Sequence, residues 1–251
     1  MQYRDTDRDW EAMAKSNPYY AVLTNPKYDI HNLSPEAKDE FYGTGEEHVQ
    51  GVLAMIRKQF EPGFRSRFAL DFGCGVGRLL FSLARQCDKV VGVDISDTML
   101  SLAREYAAEK GILNVELVKA GDELSAVPGG YDFLNSVIVF QHIPPSRGYV
   151  VLEQLLRKLR SSGYFYLQLT FAKDRRFLDH AMRHIQVYRN EEKSVSILAE
   201  APGAEVGLMS MYDYDLNKVF LTMMNAGVDN MLTHFTDHGG CYGIVMCGRK
   251  S

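Results

Sequence analysis

The sequence predicts an α/β fold: a doubly wound, seven-stranded, mostly parallel sheet with its last strand antiparallel, preceded by a helical N-terminal lid. Three observations carry this expectation. From Phe68 onward, short β-branched or aromatic runs alternate with amphipathic stretches, the sequence form of repeated βαβ units. Residues 1–65 hold no such run; they lean helical and carry Tyr3, Tyr19, Tyr20, Tyr28 and Tyr42. Near the end of the chain two strand-like runs stand so close together that they pair as antiparallel neighbours.

Composition narrows the class. With 251 residues, 46% hydrophobic and 24% charged, the chain matches ordinary globular usage, which sets aside disorder, collagen-like repeats and small disulfide scaffolds. Lysine plus arginine number 28 against 32 acidic residues, a net charge of −4 that gives no global basic field for a nucleic-acid backbone or an anionic membrane. The N-terminus is charged where a signal peptide needs an apolar stretch, and no later run approaches the roughly 18 apolar residues of a spanning helix. The expectation is a cytoplasmic monomer or homodimer with a small-molecule partner, acting on neither DNA nor a membrane. Cys74, Cys87, Cys241 and Cys247 form no CxxC pair or Cys/His cluster, so no metal is expected.

In the N-terminal segment, Ser34-Pro35-Glu36 starts a helix and Thr44-Gly45-Glu46-Glu47 is a capping box ahead of a second one, whose apolar stripe is Val49, Val52, Leu53, Ile56 and Phe60. Pro62-Gly63 ends it. The domain from 66 to 251 then begins. Strands are expected at Phe68–Phe72, Val90–Asp94, Val115–Lys119, Asp132–Val139 and Tyr164–Thr170. The helices between them are Arg78–Gln86, Asp97–Lys110 with Ser96 as N-cap, and Ser146–Arg160. A helical insertion is expected over about 172–205, its weak pattern running from Asp174 to Ala199. A helix Tyr214–Ala226 capped by Asp213 and strands Asn230–Thr236 and Tyr242–Arg249 close the chain.

The chemistry concentrates at three strand ends. Asp71-Phe72-Gly73-Cys74-Gly75-Val76-Gly77-Arg78 runs from a strand into a glycine turn and then a helix; glycines let backbone approach a ligand, and a helix N-terminus offers free N–H groups to an anion. A dinucleotide fingerprint needs a third glycine at position 78, where arginine stands. Asp94 ends the next strand, where a carboxylate can accept from a ribose diol. Asp122, after Gly121, ends the third and can accept from an exocyclic amine.

Taken in order, these motifs, with Tyr131-Asp132-Phe133 entering a fourth strand that leads to Gln141-His142-Ile143-Pro144, resemble the core of class I S-adenosylmethionine-dependent methyltransferases of the small-molecule type. The resemblance implies the Rossmann-like methyltransferase fold, S-adenosylmethionine as cofactor and S-adenosylhomocysteine as product. By it, Asp71 would orient the glycine turn or the cofactor's amino group, and Gly73, Gly75 and Gly77 would admit the methionine part. Asp94 would hold the ribose, and Ile95 and Met99 would pack on adenine. Asp122 and the backbone of Glu123 after Gly121 would read adenine's polar edge, and Val137 would lie near the sulfonium. The implied reaction moves a methyl group to an O, N or C atom of a small molecule. A non-catalytic cofactor-binding or regulatory protein, and a protein or tRNA methyltransferase, remain as alternatives.

His142 is the candidate base, since a neutral imidazole accepts a proton near neutral pH; packing of the local turn is the other role open to it. Tyr19 and Tyr20 are candidates for closing over the site, and His238 for lining the acceptor pocket. His180-Ala181-Met182-Arg183-His184 has zincin-like spacing, but alanine replaces the glutamate that such sites need. Lys173, Arg175 and Arg176 form a basic cluster, which is usually a solvated face.

Overall fold

The computed structural model describes residues 5–174, 186–189, 195–198 and 209–251. Helices α1 (Thr6–Ser16), α2 (Pro18–Val22) and α3 (Pro35–Gln59) precede the first strand. The remaining helices are α4 (Leu80–Ala84), α5 (Asp97–Glu109), α6 (Pro145–Lys158) and α7 (Leu216–Asn225). The main sheet uses β1 (Phe68–Phe72), β2 (Lys89–Asp94), β3 (Val115–Lys119), β4 (Tyr131–Ser136) and β5 (Leu159–Lys173). The pair β9 (Val228–Asp237) and β10 (Cys241–Lys250) completes it in the order β3-β2-β1-β4-β5-β10-β9. Strands β1 to β5 pair in parallel, and β10 runs antiparallel to both β5 and β9, as the sequence predicts.

Both faces of the sheet are covered, which is why β1 and β4 read as nearly unbroken buried runs. On one face α3, α4 and α5 supply Phe41, Ile56, Leu80 and Leu100 to a core with Ala69 and Phe133; on the other, Leu152, Leu155 and Met223 of α6 and α7 pack on Leu70, Leu134 and Phe165. Helix starts follow local chemistry. Ser34 and Ser96 accept from the N–H of Ala37 and Met99, capping α3 and α5.

Two elements differ from expectation. The predicted break at Thr44-Gly45 does not occur: α3 is continuous, and the Thr44 hydroxyl donates back to the Phe41 carbonyl instead of capping a new start. The buried stripe of Phe41, Tyr42, Gly45, Val49, Val52, Leu53 and Ile56 continues through the supposed cap, so tertiary packing overrides the local signal. Gly45 lets α3 lie directly on the chain after the glycine turn, because a Cβ there would stand 2.1 Å from the Arg78 carbonyl oxygen. The helix expected after β5 is also corrected where that segment is described. There, β6 (Gln186–Arg189) and β7 (Val195–Leu198) pair antiparallel, and β8 (Ser210–Met211) joins β7 in a second, three-stranded sheet. Val187, Tyr188, Val195 and Ile197 are residue types that favour strands, which outweighed the weak helical period. His180, His184, Arg175 and Arg176 lie outside the described residues.

Gly45 provides a test of this packing. Alanine gains roughly 1 kcal/mol over glycine inside a helix, yet a methyl against a carbonyl that cannot swing away costs about 1–3 kcal/mol. Gly45→Ala is therefore expected to lose about 1 kcal/mol net in urea unfolding, whereas Gly51→Ala, with nothing within 4 Å, gains. Equal gains at both positions would show that α3 is free to shift.

Candidate functional site

The turn after β1 is held open by glycine and pinned by backbone bonds. Gly73 has φ +73° and Gly77 φ +93°, conformations that side chains resist. A Cβ on Gly73 would meet Val139 at 2.3 Å, and one on Gly77 would meet the Phe81 ring at 2.1 Å. The N–H groups of Gly73 and Cys74 donate to the Val93 carbonyl. Gly75 donates to Asp94 Oδ2 at 2.8 Å, and Ser96 donates to Asp94 Oδ1 at 2.9 Å. Burial raises the pKa of Asp94 above its ordinary value, opposed by these backbone donors.

A cleft of about 1060 Å³, open mouth included, lies at the C-terminal rim of β1, β2, β3 and β4, where open parallel sheets bind ligands. The structure brings most of the sequence-expected residues to its wall: Asp71, Gly73, Gly75, Asp94, Ile95, Met99, Gly121, Asp122, Val137 and His142. Gly77 and Glu123 do not line it; Gly77 shapes the turn and Glu123 is exposed. Neither Tyr19 nor Tyr20 lines the cleft. Tyr19 is buried edge-on against Phe41 and Tyr42, Tyr20 lies off the cleft wall, and Ala21 and Val22 beside it line the cleft instead. His238 sits in the exposed turn before β10, away from this cleft, 2.7 Å from the Gln168 amide. Lys173 forms a buried pair with Asp213 at 2.6 Å, so its charge is already matched.

Inside the cleft the titrating groups are perturbed. Burial pushes Asp71 up to about 7, against the lowering effects of the Asn135 amide at 2.7 Å and the Arg78 charge. Burial holds His142 at about 4, so the ring is neutral at physiological pH. Its Nδ1 lies 2.8 Å from the Ser210 carbonyl, which can only accept, so Nδ1 carries the proton and the Nε2 lone pair accepts from the Gln141 amide at 3.2 Å.

The comparisons with known proteins place this geometry in a family. Residues 69–163, which run from β1 into β5, match the model of a methyltransferase domain. Over that stretch the chain carries a methyltransferase domain. Among curated proteins it is 30% identical over 106 residues to a ubiquinone biosynthesis O-methyltransferase of Aeromonas salmonicida, covering 42% of this chain and 44% of that protein. It is 35% identical over 98 residues to the protein of the same name from Sodalis glossinidius, covering 39% of each. These matches span less than half of either relative. Magnesium protoporphyrin IX methyltransferase from Synechocystis PCC 6803, solved with bound S-adenosylhomocysteine, shares the fold, with TM-score 0.64 and 18% identity over 97% of this chain and 98% of that one. A protein from Pyrococcus horikoshii OT3 does so at TM-score 0.62 and 24% identity, over 93% and 98% of the two chains. No described helix is long and apolar enough to cross a membrane.

The cleft of the methyltransferase domain is roofed by α1, which the motifs gave no means of placing. Thr6, Asp7 and Trp10 face the cleft, and Trp10 meets His142 edge-on with ring centres 4.8 Å apart. Two polar ties hold the helix there. Arg147 of α6 pairs with both oxygens of Asp122, at 2.6 and 2.7 Å, and reaches Asp7 at 2.9 Å and Thr6 at 3.1 Å. The Asp122 carboxylate, assigned to adenine from the sequence, is thus already engaged by a guanidinium. On the other side Glu11 accepts from the Ser96 and Thr98 hydroxyls, both at 2.6 Å, and from the Thr98 N–H. Partial burial acts to raise the Glu11 pKa, but those bonds together hold it at about 2.

A carboxyl with a depressed pKa stabilises the docked state above its undocked value and loses that contribution as pH falls. The emission of Trp10, the sole tryptophan, should therefore hold steady above pH 4.5 and change as pH drops towards 2. Glu11→Gln should show the changed emission already at neutral pH, and wild-type emission in this variant would show that Glu11 does not hold α1.

Proposed function

We propose that this chain is an S-adenosylmethionine-dependent methyltransferase that moves a methyl group to an O, N or C atom of a small-molecule acceptor. The observation that carries the reading is the wall of the cleft. A glycine turn with exposed backbone, a carboxylate at the end of β2 and the apolar side chains of Ile95 and Met99 lie together in the order that a methionyl group, a ribose and an adenine require. The names of the curated relatives support a small-molecule acceptor and favour oxygen. A net charge of −4 supports the same class over nucleic acid or an anionic membrane, with the protein acting in the cytoplasm as a monomer or homodimer.

The residues fit the cofactor. Each Asp94 oxygen receives one backbone N–H and keeps a lone pair for a ribose hydroxyl. Ile95 and Met99 offer an apolar bed for adenine. With Asp122 taken by Arg147, adenine's polar edge falls to the backbone at Gly121 and Asp122. When bound, the cofactor supplies an electrophilic methyl group on a sulfonium. The protein's share is alignment, which is worth up to roughly 7–11 kcal/mol in such reactions, and exclusion of water by α1. His142 lines the cleft and would take the acceptor's proton at Nε2 once the Gln141 amide gives up that lone pair. The N-terminal segment acts as the lid.

Titration calorimetry is expected to show micromolar binding of S-adenosylmethionine and S-adenosylhomocysteine and none of NAD or FAD; absence of binding would overturn the cofactor reading. Asp94→Ala should weaken both ligands, and an unchanged Kd would remove the ribose assignment. His142→Ala should lower kcat at least tenfold with the cofactor Kd retained. An unchanged kcat would assign the ring to packing against Trp10.

A further inference from the structure

The outermost strand of the main sheet is open along one side. Among the described residues β9 ends the order β3-β2-β1-β4-β5-β10-β9, and no described strand lies beyond it. The phase of its pairing with β10 shows which of its groups face outward. His238 and Cys241 exchange backbone bonds across the hairpin turn, and from there the register runs unbroken from Asp237 opposite Tyr242 to Asn230 opposite Arg249. In an antiparallel ladder, hydrogen-bonded pairs alternate with pairs whose N–H and C=O groups point away from each other. Asp237, Phe235, Thr233 and Met231 are therefore the residues that turn a donor and an acceptor each to the free edge. Edge strands of soluble proteins are ordinarily blunted by lysine, other charges or proline. From Asn230 to Thr236 this one carries none of them, and Leu232 and Phe235 are exposed, Phe235 at 70%. Phe235 stands opposite Ile244, which packs in the core with Val219 and Met223 of α7, so its ring projects on the face that α7 covers. Lys218 of α7 lies over the Tyr149 ring of α6, and the flank of α7 turned away from α6 carries Met224, 69% exposed.

We infer that β9 pairs with the β9 of a second copy of this chain, antiparallel about a two-fold axis through His234, and joins two seven-stranded sheets into one. The phase of the edge selects that register. Centred on His234, Met231 meets Asp237 of the second copy and Thr233 meets its Phe235, so the outward-facing residues map onto themselves and every one of their N–H and C=O groups is paired. A centre at Thr233 would set Asp237 opposite Asp229, two like charges, and a centre at Phe235 would leave Met231 opposite the turn at Gly239. The favoured register gives about eight main-chain hydrogen bonds, close to the roughly 10 of a standard interface. It also sets a β-branched residue against an aromatic one twice on the α7 face, a stabilising cross-strand pair. Hydrogen-bonding groups, charges and apolar side chains thus meet their complements under one symmetry operation, which favours a copy of this chain over a foreign strand. The inference is independent of the cofactor reading, since no residue lining the cleft belongs to β9.

Sedimentation velocity on the full chain, run from about 1 to 100 µM to span modest affinities, should show a species of twice the 28.4 kDa chain mass growing in with concentration. Thr233→Pro is the diagnostic variant. The Thr233 N–H points to the free edge, so proline removes a bond to the second copy and none to β10, a substitution that edge strands tolerate. The variant should remain a monomer at every concentration and keep the wild-type Tm. Phe235→Lys, which leaves the backbone intact and places a charge in the pairing, should do the same. Leu113→Lys, at a residue 94% exposed beside β3 at the opposite end of the sheet, should dimerise as the wild type does. Amide hydrogen exchange reads the register: Met231, Thr233, Phe235 and Asp237 should gain about tenfold protection where most of the chain is paired, and none in the two edge variants. A wild-type monomer throughout would overturn the inference and leave the edge to a strand of another protein. A dimer that survives both edge variants, or protection of a different set of amides, would place the interface elsewhere and overturn it as well. Should Thr233→Pro fail to fold, Phe235→Lys and the wild-type exchange pattern decide.

Discussion

The structure depends on one carboxylate. Asp94 ends β2, yet its oxygens hold the backbone of Gly75 in the neighbouring turn and of Ser96 at the start of α5. The turn needs that support. Its glycines adopt conformations with positive φ and give the loop no side chains with which to pack itself in place. Ser96, fixed by Asp94, then caps α5 through Met99 and donates to Glu11 of α1. One acidic side chain therefore links the ligand-facing turn, the helix that floors the cleft and the helix that roofs it.

The roof is held by charge as well as by apolar contact, for Met13 and Ala14 of α1 are buried in the core beneath it. Glu11 sits at the N-terminus of α5, where free N–H groups and the helix dipole favour a negative side chain. Arg147 bridges Asp7 on the roof and Asp122 on the rim with a paired, planar geometry that lysine would not reproduce. Such ties are half exposed, so each contributes little to global stability. Their strength lies in direction. They set Trp10 against His142 and fix the face that α1 turns to the cleft.

How far the sequence spoke follows from the range of the forces involved. The β1 turn, the acids at the strand ends and the strands themselves were readable because each rests on local chemistry: glycine for positive φ, β-branched runs for buried strands, Ser96 for a cap. The capping signal at Thr44 misled because the constraint on Gly45 comes from Arg78, thirty-three residues away in sequence, whose carbonyl leaves no room for a Cβ. Arg147 escaped notice for the same reason: its partners lie on α1 and after β3, and no spacing records that meeting. Trp10, a single aromatic in a charged segment, was the one available hint that α1 faces something apolar.

The rim of β4 shows where the fold accepts local cost for the cleft. Ile138, a β-branched residue, has φ +61°, a left-handed conformation that costs an L-residue of this kind roughly 1–2 kcal/mol. It lies between Val137 and Val139, and all three line the cleft. The turn it makes sends Val139 against Gly73, the contact that forbids a side chain at the first glycine. The strain after β4 and the glycine after β1 are therefore one requirement seen from two strand ends: the chains must come close enough to bring backbone, rather than side chains, to the ligand. The unpartnered Asp71 oxygen and Arg78 nitrogen border the same closure. Several local rules are broken together at this rim, which is the pattern expected where stability is given up to bind a ligand.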